Sequence, residues 1–334
     1  MIVERMKSIL LPALLALSAN CAANSQVEIR SIFDINQIFC AIKTNGVTGQ
    51  DNRYSAATGR GVGTSSTNSM LVLENGENDI TLEVGALGWF SDKPLSPPSR
   101  EAFRPDSHCK VSLTLFKGAE RKVLTAFTVS PGSDGILHAV ASGDNKREVL
   151  TEKITATQVE KGHLEERYVI KNYFPADMTL YKFTQKVSVS GIPQWRWVNA
   201  TPFTGKPQQV QALQAAYEDL WRLFAARDNA AIKQNMTELL NAWTRATSSS
   251  REELYNNHRF VDGFKNPGFE MIPINWDNYT VEVMNKGRLV RFVNKSDPTV
   301  YPLSYYVTGD DGKRKMRWFT PLFSLVDGKF IPVI

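Results

Sequence analysis

Residues 208–226, QQVQALQAAYEDLWRLFAA, carry the pattern that decides how this chain folds. Four large apolar residues recur there at the spacing of a single helix face. They are Leu213, Tyr217, Leu220 and Phe224. The sequence therefore predicts an amphipathic helix over Gln208–Ala226, buried along that face.

Two more helices and then a series of strands are predicted downstream. Asp228 can cap a second helix, and Ser248–Ser250 can close it and cap a third from Arg251 to about Phe260. The buried face of the second helix is expected to be Ile232, Met236, Leu239, Leu240 and Trp243. The predicted strands are Glu270–Ile274, Tyr279–Met284, Leu289–Val293, Leu303–Thr308, Lys315–Leu325 and Lys329–Val333.

The chain before residue 200 has a different period. Short alternating segments separated by turn residues favour an antiparallel β-sandwich. The expected strands are Met70–Leu73, Ile80–Val84, Val111–Phe116, Val123–Val129, Glu148–Ile154, Arg167–Lys171, Leu180–Val189 and Gln194–Val198. The first two should form a hairpin around Asn75-Gly76. Residues 44–69 and 91–108 lack a regular pattern and are predicted to be loops.

This change of period divides the 334-residue chain into two predicted domains. An all-β antiparallel sandwich is expected over residues 26–203, and an α+β domain over residues 204–334. Trp195 and Trp197 precede the boundary and are candidates to hold the two domains together.

Residues 1–25 have the order of a secretory signal peptide. Lys7 precedes an apolar run at Ile9–Leu17, and small residues follow it. Cleavage after Ala23 or Ser25 predicts a periplasmic or otherwise exported protein. A lipid anchor at Cys21 is the alternative, although Asn20 stands where a lipoprotein signal has a small residue. No later segment is apolar enough to be a transmembrane helix.

The two remaining cysteines, Cys40 and Cys109, predict a disulfide bond in an oxidising compartment. A reactive thiol is the alternative, but neither cysteine has a histidine at a recognised catalytic spacing. The histidines are scattered, so the sequence predicts no metal site, no cofactor and no enzymatic activity. They are His108, His138, His163 and His258, of which His258 is expected to be solvated. The net charge of +5 is spread along the chain, which argues against nucleic-acid binding.

Helices followed by an antiparallel sheet resemble the NTF2-like, or cystatin-like, fold superfamily. The resemblance rests on that order, on ARDNAAI at residues 226–232 and on FSLVDGKF at residues 323–330. It implies a cone in which helices pack on a curved sheet. Members serve as enzymes or as binding modules, so the fold alone does not indicate which of these functions the protein has.

Arginine and aromatic residues are interleaved near the C-terminal end, a composition typical of protein interfaces. The predicted partner-binding residues are Arg288, Arg291, Tyr306, Arg314, Arg317 and Trp318. The alternative is a sheet whose aromatic face packs on the helices while its basic face is solvated.

The sequence as a whole is similar in its general features to exported bacterial immunity proteins of type VI secretion effectors. That resemblance implies a periplasmic protein that binds and inhibits an antibacterial toxin stoichiometrically. The alternatives are an NTF2-like ligand-binding protein or enzyme, and an envelope assembly or adhesion subunit.

Overall fold

The computed structural model describes residues 26–142, 147–160 and 173–334. The predicted signal peptide with Cys21, the predicted strand Arg167–Lys171 and His163 lie outside the described residues. Within the described ranges the fold is α+β and rich in strand, with seven α-helices and four antiparallel sheets.

Ten strands in the described part of the first half form two five-stranded sheets. They are β1 (Val27–Asn36), β2 (Phe39–Thr44), β3 (Val47–Asp51), β4 (Gly63–Asn68), β5 (Gly76–Gly85), β6 (His108–Lys117), β7 (Glu120–Pro131), β8 (Leu137–Ser142), β9 (Val149–Thr155) and β10 (Thr179–Val189). The first sheet has the order β4-β1-β6-β7-β8, and the second has the order β3-β2-β5-β10-β9. Buried residues from both sheets belong to one apolar core, so the sheets pack face to face.

The predicted disulfide joins these two sheets. Cys40 lies on β2 and Cys109 on β6, and their Cα atoms are 6.3 Å apart. That separation is within the range for a disulfide bond, and both cysteines are fully buried in the sandwich core. The predicted pairing is confirmed.

The helices are α1 (Arg53–Ala57), α2 (Pro97–Glu101), α3 (Pro207–Ala225), α4 (Asn229–Asn235), α5 (Thr237–Thr247), α6 (Arg251–Asn257) and α7 (Phe260–Lys265). The long helix α3 confirms the amphipathic pattern, since all four of its predicted apolar residues are fully buried. Asp228 and Ser250 cap α4 and α6 through their side-chain oxygens, as predicted. The predicted second helix is instead two helices, because the backbone of Met236 leaves the helical conformation.

Seven strands of the second half form two further sheets. They are β11 (Glu270–Met271), β12 (Tyr279–Met284), β13 (Leu289–Asn294), β14 (Leu303–Thr308), β15 (Arg314–Phe319), β16 (Phe323–Val326) and β17 (Lys329–Pro332). The orders are β11-β14-β15 and β12-β13-β16-β17. Helix α3 packs on both sheets: the Tyr217 ring lies 4.5 Å from that of Phe323, and the Phe224 ring lies 6.1 Å from that of Phe319.

The hairpin predicted for residues 70–84 is wrong. Met70–Val72 forms a 3₁₀ turn, and β5 pairs with β2 and β10 instead. The strand predicted at Gln194–Val198 is also wrong, because Arg196–Asn199 forms a 3₁₀ helix.

Tryptophan side chains explain why these two segments are irregular. Trp195 Nε1 donates to the carbonyl oxygen of Met70 at 3.0 Å, and Trp197 Nε1 donates to that of Leu71 at 3.0 Å. Buried carbonyl groups need hydrogen-bond partners, and here indole groups supply them in place of a neighbouring strand.

Three other predictions also need correction. The predicted loop at residues 44–69 contains β3, α1 and β4, and the predicted loop at residues 91–108 contains α2. The predicted strand Lys315–Leu325 is divided between β15 and β16, with Pro321 in the interruption. Proline has no backbone N–H and cannot donate to a strand ladder, so the chain changes sheets there.

The two halves of the chain share apolar packing. Five buried residues of the second half belong to the same core cluster as the sandwich interior: Ala246, Met284, Leu289, Leu322 and Val333. The domain boundary between residues 203 and 204 stays a prediction, and this shared packing is the contact that separation of the halves would break.

Candidate binding surface and cleft

The six residues predicted to bind a partner occupy different places in the structure. Arg288 is buried between the two halves of the chain, and Arg291 lines a cleft. The other four lie on the neighbouring strands β14 and β15: Tyr306, Arg314, Arg317 and Trp318.

Arg288 forms a buried ion pair between the two halves. Its side chain is only 11% exposed, and Nη1 and Nη2 donate to the two carboxylate oxygens of Glu74 at 2.8 and 2.6 Å. Nη1 also donates to the carbonyl oxygen of Val198 at 3.0 Å, and the guanidinium lies 5.2 Å from the Trp197 ring centre. These contacts fix Arg288 inside the molecule and leave little of it accessible to a partner.

Glu74 is the acceptor of this ion pair and is 12% exposed. Hydrogen bonds from Arg288 and then Lys286 lower the pKa of its carboxyl to about 2, against the opposing effect of burial. Lys286 Nζ donates to Glu74 at 2.8 Å. Glu74 is therefore ionised at neutral pH, and the contact is a pair of opposite charges.

Asparagines next to this ion pair add backbone contacts between the halves. The Asn285 backbone N–H donates to the carbonyl oxygen of Asn45 at 2.9 Å, and Asn285 Nδ2 donates to that of Val72 at 3.3 Å. Both asparagines are buried. The region around Arg288 is thus a hydrogen-bonded junction rather than an open surface.

Tyr301, Tyr306, Arg314 and Trp318 form an outer surface that we call the aromatic face. Trp318 is 50% exposed, and its ring lies 6.1 Å from that of Tyr301. The Arg314 guanidinium lies 3.6 Å from the Tyr306 ring centre, and its Nη2 donates to Glu270. Stacking on the tyrosine orders the arginine while leaving it exposed to solvent.

Arg317 lies on the opposite side of β15 from Trp318, because successive side chains of a strand alternate in direction. It is paired in register with the buried Tyr305 of β14. Burial raises the pKa of Tyr305, and Arg317 opposes that shift. Arg317 is therefore separate from the aromatic face.

A cleft of about 530 Å³ lies where the sandwich meets α5, α6 and β15. Most of its wall is apolar and includes Leu71, Val72, Leu240, Trp243, Leu254 and Leu322. Trp318 lines the same cleft, so the aromatic face adjoins it. Its volume is within the range of about 300–1,000 Å³ for small-molecule sites.

Arg291 provides charge to this cleft. Its Nε donates to Glu282 Oε2 at 2.5 Å on the neighbouring strand, and its side chain is 26% exposed. Among the described residues lining the cleft, Arg291 is the only one with a side chain that is charged at neutral pH.

His258 is exposed, as expected, but its ring is packed against aromatic neighbours. The ring lies 5.0 Å from that of Phe260 and 5.2 Å from that of Phe319. These apolar surroundings lower the pKa of His258 by desolvation, which favours the neutral imidazole. His258 also lines the cleft.

The described residues were compared with two kinds of feature, a cluster of metal ligands and a helix able to span a membrane. No group of three or more histidine, cysteine, aspartate or glutamate side chains there could hold a metal ion. In the same part of the chain, no helix has the length and apolarity needed to cross a membrane. A comparison with known proteins finds no matching family model, no matching curated protein and no matching solved structure.

The sequence reasoning missed Glu74 and the cleft. Glu74 lies in a turn-like segment, 214 residues from Arg288, and no local pattern joins the two. The residues that line the cleft come from segments distant in the chain. Periodicity within one segment does not predict which distant segments pack together.

Proposed function

We propose that this chain is an exported protein-binding protein that inhibits a secreted antibacterial toxin by binding it stoichiometrically. The aromatic face carries the proposal, since Trp318 is half exposed next to the Arg314–Tyr306 pair. Tryptophan, tyrosine and arginine contribute most of the binding energy at many protein interfaces. An immunity protein covers its toxin or blocks its assembly, and an ordered, exposed surface of this kind suits that role.

The charge of the aromatic face favours an acidic partner. Arg314 and the adjacent Lys313 are both exposed. Glu270 offsets part of this charge but is itself exposed, with 66% of its side chain accessible. A partner carboxylate could therefore compete with Glu270 for Arg314, and the stacked Tyr306 would hold the guanidinium in place.

Export to the periplasm and an NTF2-like second half belong to the same proposal. The Cys40–Cys109 disulfide suits an oxidising compartment, and the predicted signal peptide would provide the route. The packing of α3 against two antiparallel sheets supports the NTF2-like cone for residues 204–334. In this proposal the protein is not an enzyme and uses no cofactor.

Expression with the product of a neighbouring gene tests the proposal. Cells that export a candidate toxin should survive when they also make this protein, and the purified pair should form a complex of fixed stoichiometry. Trp318→Ala should speed dissociation and weaken protection. Tyr54→Ala is the matched control, because Tyr54 is a 73% exposed aromatic residue on α1, away from the aromatic face.

Two results would contradict toxin inhibition. One is a chain that gives no protection and forms no complex with any neighbouring gene product. The other is protection lost equally in Trp318→Ala and Tyr54→Ala, because the aromatic face would then have no special role.

The cleft favours a second candidate function, the binding of a small ligand by the NTF2-like half as a carrier or enzyme. It has the volume and the mostly apolar wall of a ligand site. Native mass spectrometry of the purified protein tests this role. A small molecule retained in the cleft, without any protein partner, would replace the first proposal.

A further inference from the structure

The cleft has an apolar wall contributed by both halves of the chain. Leu71 and Val72 come from the first half, whereas Leu240 and Trp243 come from α5. A hydrocarbon chain between them would be removed from water and would make apolar contacts on both sides. The free energy of this transfer is favourable in proportion to the apolar area buried.

Among the described residues that line the cleft, the one charged side chain is positive. Arg291 pairs through Nε with Glu282, but neither of its terminal nitrogens has a hydrogen-bond partner within the described ranges. Glu282 does not line the cleft. The terminal nitrogens are therefore free to donate to an anion, and a guanidinium binds a carboxylate through two parallel hydrogen bonds.

We propose that the cleft binds a single-chain anionic amphiphile of the fatty-acid type. Its hydrocarbon chain lies along Leu71, Leu240 and Trp243, and its carboxylate pairs with the terminal nitrogens of Arg291. This inference deepens the second candidate function by naming its ligand class. It does not require protein capture by the aromatic face, although Trp318 belongs both to that face and to the cleft.

Glu282 provides a further test of the proposal, because its carboxylate would compete with the ligand carboxylate for Arg291. The two residues face each other in register on β12 and β13. Glu282→Gln keeps the shape of the side chain and removes its negative charge. The variant should bind an anionic amphiphile more tightly and a neutral one unchanged.

Isothermal titration calorimetry with three probes of equal chain length tests the inference on the full chain. The probes are decanoate, n-decanol and decylamine, which carry a negative, a neutral and a positive head group at neutral pH. Decanoate should bind most tightly and decylamine most weakly. Thr48→Trp should weaken all three, because Thr48 is an exposed residue at the lip of the cleft.

Variants of the ion pair separate a ligand contact from a structural role. Arg291→Gln should weaken decanoate by roughly tenfold, about 1.4 kcal/mol, and leave n-decanol unchanged. If the unpaired Glu282 unfolds that variant, the double variant Arg291→Gln/Glu282→Gln removes both charges and should behave the same way toward the probes. Arg314→Gln, on the aromatic face, is the control and should change neither affinity.

Each contrary result has a distinct meaning. If no probe binds, the proposed ligand role of the cleft is wrong, while toxin binding by the aromatic face is untouched. If decanoate and n-decanol bind equally, or if Glu282→Gln fails to tighten decanoate, the inferred anionic class is overturned. Binding that survives Thr48→Trp would place the ligand outside the cleft and overturn the inference.

Discussion

The junction around Arg288 and the aromatic face around Arg314 contain the same chemistry in opposite surroundings. Each places a guanidinium over an aromatic ring and against a glutamate: Trp197 and Glu74 at the junction, Tyr306 and Glu270 on the face. The side chain of Glu74 is 12% exposed, whereas that of Glu270 is 66% exposed. The residue types alone therefore do not say which arginine stabilises the fold and which is available to a partner.

Burial changes the expected energy of these two contacts. Removing one partner of a buried ion pair leaves an uncompensated charge and costs about 3–5 kcal/mol. An exposed pair is screened by water and salt, and contributes about 0–1 kcal/mol. The same substitution should therefore destabilise the protein at the junction and do little on the aromatic face.

Separation of the two halves should have the largest effect. Fragments 26–203 and 204–334 are each expected to unfold cooperatively, but at lower denaturant concentration than the intact chain. The separated second half would expose residues such as Leu289 and Leu322, and each fully buried side chain of this kind contributes about 1.5–3 kcal/mol. Urea unfolding followed by circular dichroism checks this.

The outcome of the fragment experiment also tests the domain prediction. Two fragments as stable as the intact chain would show that the shared core contributes little. A fragment with no cooperative transition would show that residues 26–203 and 204–334 are not separate folding units.

Arg288→Ala compares the junction directly with the aromatic face. It should lower the free energy of unfolding by about 3 kcal/mol, near the lower end for a buried pair because Lys286 remains beside Glu74. Arg314→Ala is the matched control and should cost no more than about 1 kcal/mol. Equal losses in urea unfolding would contradict the assignment of Arg288 to a buried structural contact.

Acid should weaken the junction through Glu74. Its folded-state pKa of about 2 lies below its ordinary value of 4.5, so its contribution is fully present above pH 5 and is lost as the pH falls toward 2. The loss is at most about 3 kcal/mol. Other carboxyls with lowered pKa values, such as Asp34, titrate in the same range, so wild type must be compared with Glu74→Gln.

In this comparison the stability of Glu74→Gln should depend less on pH between 5 and 2 than that of the wild type. The two stability curves, measured by urea unfolding at each pH, should converge toward low pH. Parallel curves would mean that the Glu74 pKa is not lowered by Arg288 and Lys286.

Trp318→Ala should have a small effect on stability, no more than about 1.5 kcal/mol, because half of its side chain is already exposed and full burial of a large apolar side chain contributes about 1.5–3 kcal/mol. The substitution should nevertheless weaken binding of the captured protein through faster dissociation. Thermal unfolding and surface plasmon resonance measure the two effects separately. A large loss of stability would assign Trp318 to the fold rather than to the partner surface.

Local periodicity predicted most of the regular elements. The face of α3 was predicted because its buried residues recur every three or four positions, and strand β14 was predicted with its observed bounds, Leu303–Thr308. The caps at Asp228 and Ser250 were predictable because each side-chain oxygen accepts a hydrogen bond from the backbone N–H three residues ahead. The apolar run at residues 70–73 predicts a strand, but its side chains point into the core from a 3₁₀ turn held by distant tryptophans.

The candidate sites were less predictable than the fold. Of the six arginine and aromatic residues, only Tyr306, Arg314 and Trp318 belong to the aromatic face, since Arg317 alternates to the other side of its strand. The cleft requires the sandwich, α5, α6 and β15 to meet. No residue pattern within one of these segments predicts that they pack together.

The sequence by itself determined the helix and strand periods, the helix caps and the candidate cysteine pair, because these depend on residue type and on neighbours a few positions apart. Only the tertiary structure decided the exposure of each arginine, the Glu74–Arg288 pair and the existence of the cleft. Those features depend on contacts between residues as far as 214 positions apart. Their free energy comes from burial and from removal of water, and neither quantity exists until the chain has folded.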